Sequence, residues 1–118
     1  MKLLSYPLSA AAEFLREGPL SLAEVLDKVH DPRFGGVTSF QGCVRDTEEG
    51  RSIGALVYEA YASMADREIA RIIERVEKRW GVRAAALHRL GRIPVGESAV
   101  IVACAGPLRS EAFSACRE

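Results

Sequence analysis

Two arginines stand where an anion site can be built. Arg45 closes the alternating run 37–45 and precedes the polar stretch Asp46-Thr-Glu-Glu-Gly50. Arg109 follows Gly106-Pro107 and precedes a helix start. A guanidinium is a permanently charged planar fork that suits phosphate or carboxylate. A helix N-terminus adds backbone N–H donors to the same task. Each arginine alone also reads as a solvated surface charge. Cys43 is a nucleophile by type, but no histidine is evidently paired with it, so a small buried residue is the plainer reading. Cys104, inside an apolar run, reads as core. Phe40 and Met64 also read as core, and Gly42 as a close backbone approach or a β-bulge. His88 and Arg89 are neighbours in a strand-like run and point to opposite faces, as do Tyr58 and Glu59. One of His88 and Arg89 is expected to be buried and hydrogen-bonded. The chain carries no catalytic triad or phosphate-binding glycine loop.

The elements that must position these residues follow from periodicity. Residues 2–6 read as a short strand and Ala10 to Arg16 as a helical turn or two, ending at Gly18-Pro19. Ser21-Leu-Ala-Glu24 is a capping box. It opens a helix from Leu22 to His30 with Leu22, Val25, Leu26 and Val29 on one face, and Asp31-Pro32 stops it. A strand over Val37 to Arg45 and a second over Ile53 to Tyr61 are expected to pair antiparallel. Ile69, Ile72, Ile73, Val76 and Trp80 mark the buried stripe of a helix from Met64 to Trp80. Ser63 is its expected N-cap, Asp66 lies in its first turn, and Gly81 ends it. A strand over Val82 to Leu90, a turn through Arg92 to Gly96, and an apolar strand over Ser98 to Ala105 come next. A last helix starts near Ser110 and is only about two turns long at Glu118. This order implies an α+β fold with a mostly antiparallel sheet in a single domain.

The 118 residues carry zero formal net charge, so no global field draws nucleic acid or an anionic membrane. The thirteen arginines greatly outnumber the three lysines, Lys2, Lys28 and Lys78, and no lysine follows Lys78. Three cysteines without a C-x-x-C and only two histidines argue against a zinc site or a disulfide framework. No apolar run reaches the length of a membrane span, and the N-terminus is too short in its apolar stretch for a signal peptide. A cytoplasmic location is the expectation.

The ordered series is more specific than its parts. Phe40-x-Gly42-x-Val44-Arg45 is followed by Gly50, by Leu56-x-Tyr58-Glu59-Ala60-Tyr61 and by Met64-Ala65. Then come Arg79-Trp80-Gly81, His88-Arg89-x-Gly91, Val95-Gly96-Glu97 and Arg109-x-Glu111-Ala112-Phe113-x-Ala115-Cys116. This series resembles the large subunit of molybdopterin synthase from about residue 19 onward. The resemblance implies an α/β hammerhead-like fold and a central homodimer. Each copy would bind a ubiquitin-like small subunit ending in a Gly-Gly thiocarboxylate, giving a heterotetramer. Sulfur would pass from that tail to cyclic pyranopterin monophosphate, forming molybdopterin in molybdenum cofactor biosynthesis, with no cofactor or metal. Arg45 would bind substrate with its neighbours Cys43 and Val44, and Arg109 would match the arginine of a His-Arg pair on the same anionic substrate. Leu108 stands where that histidine is expected and cannot donate a hydrogen bond. The family's catalytic lysines would lie beyond residue 118, so the expected chain lacks the family's C-terminal segment. An alternative reading is a non-catalytic relative that keeps the dimer and a partner- or anion-binding surface. An unrelated α+β ligand-binding domain is a third.

Overall fold

The computed structural model describes residues 13–48, 51–52, 55–58 and 62–117. The strand expected over residues 2–6 lies outside this range, as do Gly50, Glu59, Ala60 and Tyr61. The elements are β1 (Leu15–Glu17), α1 (Leu22–Val29), β2 (Gly36–Cys43), β3 (Thr47–Glu48), β4 (Arg51–Ser52) and β5 (Ala55–Tyr58). They continue with α2 (Ala62–Trp80), β6 (Arg83–Pro94), β7 (Ser98–Gly106) and α3 (Arg109–Arg117). The fold is α+β, with a sheet ordered β1-β6-β7-β2 to which β5 adds along β6. All its pairings are antiparallel except β1 with β6, which is parallel.

The capping box forms by half. Ser21 Oγ accepts the Glu24 N–H at 3.3 Å, but the Glu24 carboxylate turns to the Arg16 guanidinium and takes two hydrogen bonds, one of 2.6 Å. This ties α1 to β1 and lowers the Glu24 pKa, chiefly through the Arg16 hydrogen bond. Leu15–Glu17 is therefore a strand, where the sequence suggests a helical turn. The pairing with β6, Leu15 opposite His88, supplies ladder bonds that a short isolated helix cannot match.

The core lies on both faces of the sheet. On one face α1 covers β6 and β7, and Val25, Val29, Leu87, Ile101, Ala103 and Ala105 are essentially inaccessible. On the other, α2 and α3 pack around Val76, Val82, Cys104 and Ala115. The α2 stripe is less buried than its periodicity suggests: Val76 is buried, but Ile69 and Ile73 are partly exposed and Ile72 more so. These isoleucines line an apolar cavity of about 330 Å³ rather than a filled core. Helix α2 begins at Ala62, so Ser63 lies within it rather than capping it. Asp66 reaches out to accept the N–H groups of Glu13 and Phe14 at 2.8 and 2.7 Å, holding the approach to β1.

Two strand expectations need correction. β2 pairs with β7 rather than with the 53–61 segment, and β5 pairs with β6, Leu56 opposite Ile93. The only hairpin in the intervening segment among the described residues is the two-residue β3–β4 ladder. β6 also runs on to Pro94 instead of ending at Leu90. Gly91, at φ +86, gives the backbone a conformation that other residues rarely adopt. There β6 leaves β1 and takes up β5.

Candidate functional site

Strand β2 carries the candidate site, and its two ends are anchored differently. At the far end the register with β7 shifts between Gly42 and Cys43, so Gly42 belongs to a bulge. A Cβ there would lie 2.9 Å from Val100 Cγ1. Val44 follows as a buried plug with Ile93, Ala99 and Val95. Its N–H donates to Glu97 O at 3.1 Å, and its carbonyl accepts the Gly96 N–H at 2.9 Å. The β6–β7 turn thus clamps the backbone just before Arg45, which is exposed. Arg89 of β6 is buried and donates to Glu97 Oε1 at 2.7 Å. This is the buried, bonded member expected of the His88–Arg89 pair. In the sequence Glu97 stands just past the turn expected over 92–96 and closes the string Val95-Gly96-Glu97.

Cys43 is exposed rather than buried, because β2 closes one end of the described sheet. Its sulfur lies 3.8 Å from Ser98 Oγ, which donates to Gln41 Oε1 at 2.9 Å. Phe40 and Met64 are likewise not core; they are 57% and 61% exposed. Phe40 stands on the edge strand and borders the cavity under α2. Cys104 is core as expected.

At the near end β2 starts against α3. A Cβ on Gly36 would lie 2.9 Å from both the carbonyl carbon and the oxygen of Leu108, and 3.0 Å from Arg109 N. Only glycine permits that approach. Thr38 Oγ1 donates to Ala112 O at 2.9 Å and holds the first turn of α3 on the strand. Arg109 is the first residue of α3 and is exposed, as is Leu108. Each end also holds a buried polar atom with no partner among the described residues: Arg89 Nε at one, Glu111 Oε1 at the other.

The structure therefore brings Cys43, Val44 and Arg45 together but does not bring Arg109 to them. The eight residues of β2 separate the two groups. At about 3.3 Å per residue that is roughly 23 Å, too far for two guanidinium groups of one chain to grip one phosphate.

The fold is an α+β sheet with an exposed arginine near each end of an edge strand. The family profile described as MoaE protein matches residues 15–118, and the chain belongs to that family. It is 44% identical over 104 residues to molybdopterin synthase catalytic subunit 1 of Mycobacterium tuberculosis, covering 87% of this chain and 71% of that one. It is 40% identical over 121 residues to the molybdopterin synthase catalytic subunit of Oryza sativa subsp. indica, covering 94% of this chain and 63% of the relative. The X-ray structure of molybdopterin synthase from Staphylococcus aureus superposes with a TM-score of 0.85 at 28% identity, covering 88% of this chain and 77% of that one. These relatives belong to molybdenum cofactor biosynthesis. Among the described residues no helix is long and apolar enough to cross a membrane.

Proposed function

We propose that this chain is a molybdopterin synthase large subunit whose substrate site is shared between two copies. The reaction it serves is sulfur transfer from a small subunit's Gly-Gly thiocarboxylate to cyclic pyranopterin monophosphate, in the cytoplasm. The relatives' description as catalytic subunits supports a second kind of subunit. Residues 1–118 are read as one domain.

The observation that carries the shared site is the separation of Arg45 from Arg109 along β2. Among the described residues the outer edge of β2 has no strand beside it, and Val37 and Phe40 on it are 52% and 57% exposed. An apolar edge of this kind is a template for pairing. Two copies joined antiparallel along β2, about a two-fold axis near Phe40, would set residue 45 of one opposite residue 35 of the other. Gly36 touches Arg109, so Arg45 would then meet the partner's Arg109. Two guanidinium forks would hold the phosphate and present the pterin to the thiocarboxylate, which is catalysis by positioning. Cys43 and Val44 would shape the wall beside Arg45. The lysines that the family resemblance makes catalytic are not among these residues, so the role of Cys43, Val44, Arg45 and Arg109 is to bind and orient the substrate.

The test is complementation between defective chains. Arg45→Ala and Arg109→Ala chains, each alone, should lose binding of cyclic pyranopterin monophosphate. Coexpressed, they should recover about a quarter of the wild-type sites, the statistical yield of a two-fold dimer with one intact site per mixed pair. No recovery in a mixed dimer shown to form would sink the shared site.

Leu108 favours a second reading, a non-catalytic relative. It is 66% exposed beside Arg109, where the resemblance calls for a donor. Binding of a thiocarboxylated small subunit and of the pterin, without sulfur transfer, would establish that reading over the first.

A further inference from the structure

Two cysteines lie together away from both arginines. Cys104 is buried in β7, and Cys116 is partly exposed in the last turn of α3. Both pack in one apolar cluster with Val76, Val82 and Ala115, and both line the cavity beneath α2. Cys116 thus packs onto the cluster that holds Cys104. The sequence alone gives no hint of this, since the two are separated along the chain by a strand end, a Gly-Pro break and most of a helix.

We propose that Cys104 and Cys116 are a thiol-oxidation site, forming an intramolecular disulfide when a hydroperoxide oxidises the pair and so fastening the end of α3 to β7. The two sulfurs have unequal roles. The neighbouring Cys104 thiol lowers the Cys116 pKa, which favours the thiolate there. The Thr38 hydroxyl does not share in this, because its one proton goes to Ala112 O. The Cys104 pKa is pushed up by the same contact, by burial and by the charge of Glu77 on α2. His88 on β6 and Arg117 on α3 complete the titratable and charged groups around the cavity. A partly exposed thiolate beside a buried thiol is an attacking and a resolving cysteine.

The chemistry balances with hydrogen peroxide as oxidant. The Cys116 thiolate attacks one peroxide oxygen; the O–O bond breaks, and hydroxide leaves a sulfenic acid on Cys116. Cys104 then attacks that sulfur; the S–S bond forms and the S–O bond breaks. The departing hydroxide takes the Cys104 proton as water. Two thiols lose two electrons, and the peroxide is reduced to the level of water. Any thiol reductant reverses the bond by exchange.

Peroxide treatment of the whole chain followed by alkylation and tryptic digestion under non-reducing conditions tests this. Cleavage after Arg109 separates the cysteines into peptides 93–109 and 110–117. The expected product is these two peptides joined, with two hydrogens lost and Cys43 still open to alkylation. The melting temperature of the oxidised protein should rise by roughly 5–15 °C, as for a short loop closed in a domain of this size, and fall back on reduction. Cys104→Ala should abolish the link and leave Cys116 as sulfenic or sulfinic acid; Cys116→Ser should abolish both. Links dominated by Cys43 or joining two chains would overturn the proposal. So would sulfinic acid accumulating on Cys116 of the wild-type chain while Cys104 stays free.

Discussion

The two ends of β2 present the same group by different means. At the Gly36 end the arginine is held by backbone contact: the strand touches the Leu108 carbonyl where a Cβ would collide. At the Cys43 end it is held by a plug and a clamp: Val44 is buried, and the turn at Gly96 and Glu97 hydrogen-bonds it on both sides. The first device depends on the absence of a side chain. The second depends on an apolar side chain and on the pair between buried Arg89 and half-exposed Glu97. A rigid strand with an arginine at each end acts as a spacer, and a spacer is useful to a site only if something else brings the two ends together.

The strongest way to break the symmetry is at Gly36. Gly36→Val puts branched carbons into the Leu108 carbonyl, and the helix start must move. Overpacking of this kind costs about 1–3 kcal/mol, more where backbone must shift. Denaturant unfolding should show the loss, and pterin phosphate binding should fail through Arg109 while the Val44 clamp persists. Glu97→Ala is the counterpart at the other end. It leaves Arg89 buried without its carboxylate. Breaking a fully buried pair costs about 3–5 kcal/mol, but Glu97 is half exposed, so solvent screening brings the expected loss to roughly 1–3 kcal/mol. If Gly36→Val disturbs the Arg45 end equally, the two anchors are one cooperative unit and the contrast between them fails.

A milder change sharpens it. Val44→Ala removes two methyl groups from a buried plug and should cost about 1–2.5 kcal/mol. Its backbone hydrogen bonds to Glu97 and Gly96 survive the substitution. Substrate affinity should therefore fall less than stability does, read as a calorimetric Kd against an unfolding midpoint.

Most elements of the fold could be read from the sequence, while the distances that matter could not. The α2 stripe and its stop at Gly81 follow from helical spacing and a left-handed glycine, at φ +65. The α1 stripe places Val25 and Val29 correctly in the core. Strand partners are another matter, because pairing is set by the whole sheet and not by neighbours in the chain. The sequence ends this strand at Leu90 and places a turn over 92–96, yet β6 runs through Gly91 and stops at Pro94. The types of Arg45 and Arg109 indicate anion chemistry. Nothing in their spacing along the chain says that one strand holds them apart. Cys43 and Phe40 read as core because an edge strand has the same alternation as a central one.

Acidification should act on one end and spare the other, with the smallest effect of the set. The turn leading into Gly36 is held by Asp31, whose carboxylate accepts from Arg33 N and Nε at 2.9 and 3.0 Å and from Arg33 Nη2 at 2.8 Å. Arg83 lies further out, at 3.9 Å. The Arg33 side-chain hydrogen bonds, and then its backbone N–H, hold the Asp31 pKa well below the ordinary carboxylate range. A depressed carboxylate pKa contributes stability above its unfolded value, about 3.9, and loses it as pH falls through the folded value. Asp31→Asn should therefore be less stable than wild type at pH 7, and the gap should narrow steadily below about pH 4. Hydrogen exchange should place that change at the amides of Arg33 and Phe34, next to β2. Protection at Val44 should not follow it, because that amide is held by a backbone carbonyl that does not titrate. A gap that stays constant down to about pH 2, or one that widens, would mean that Asp31 does not hold the Gly36 end.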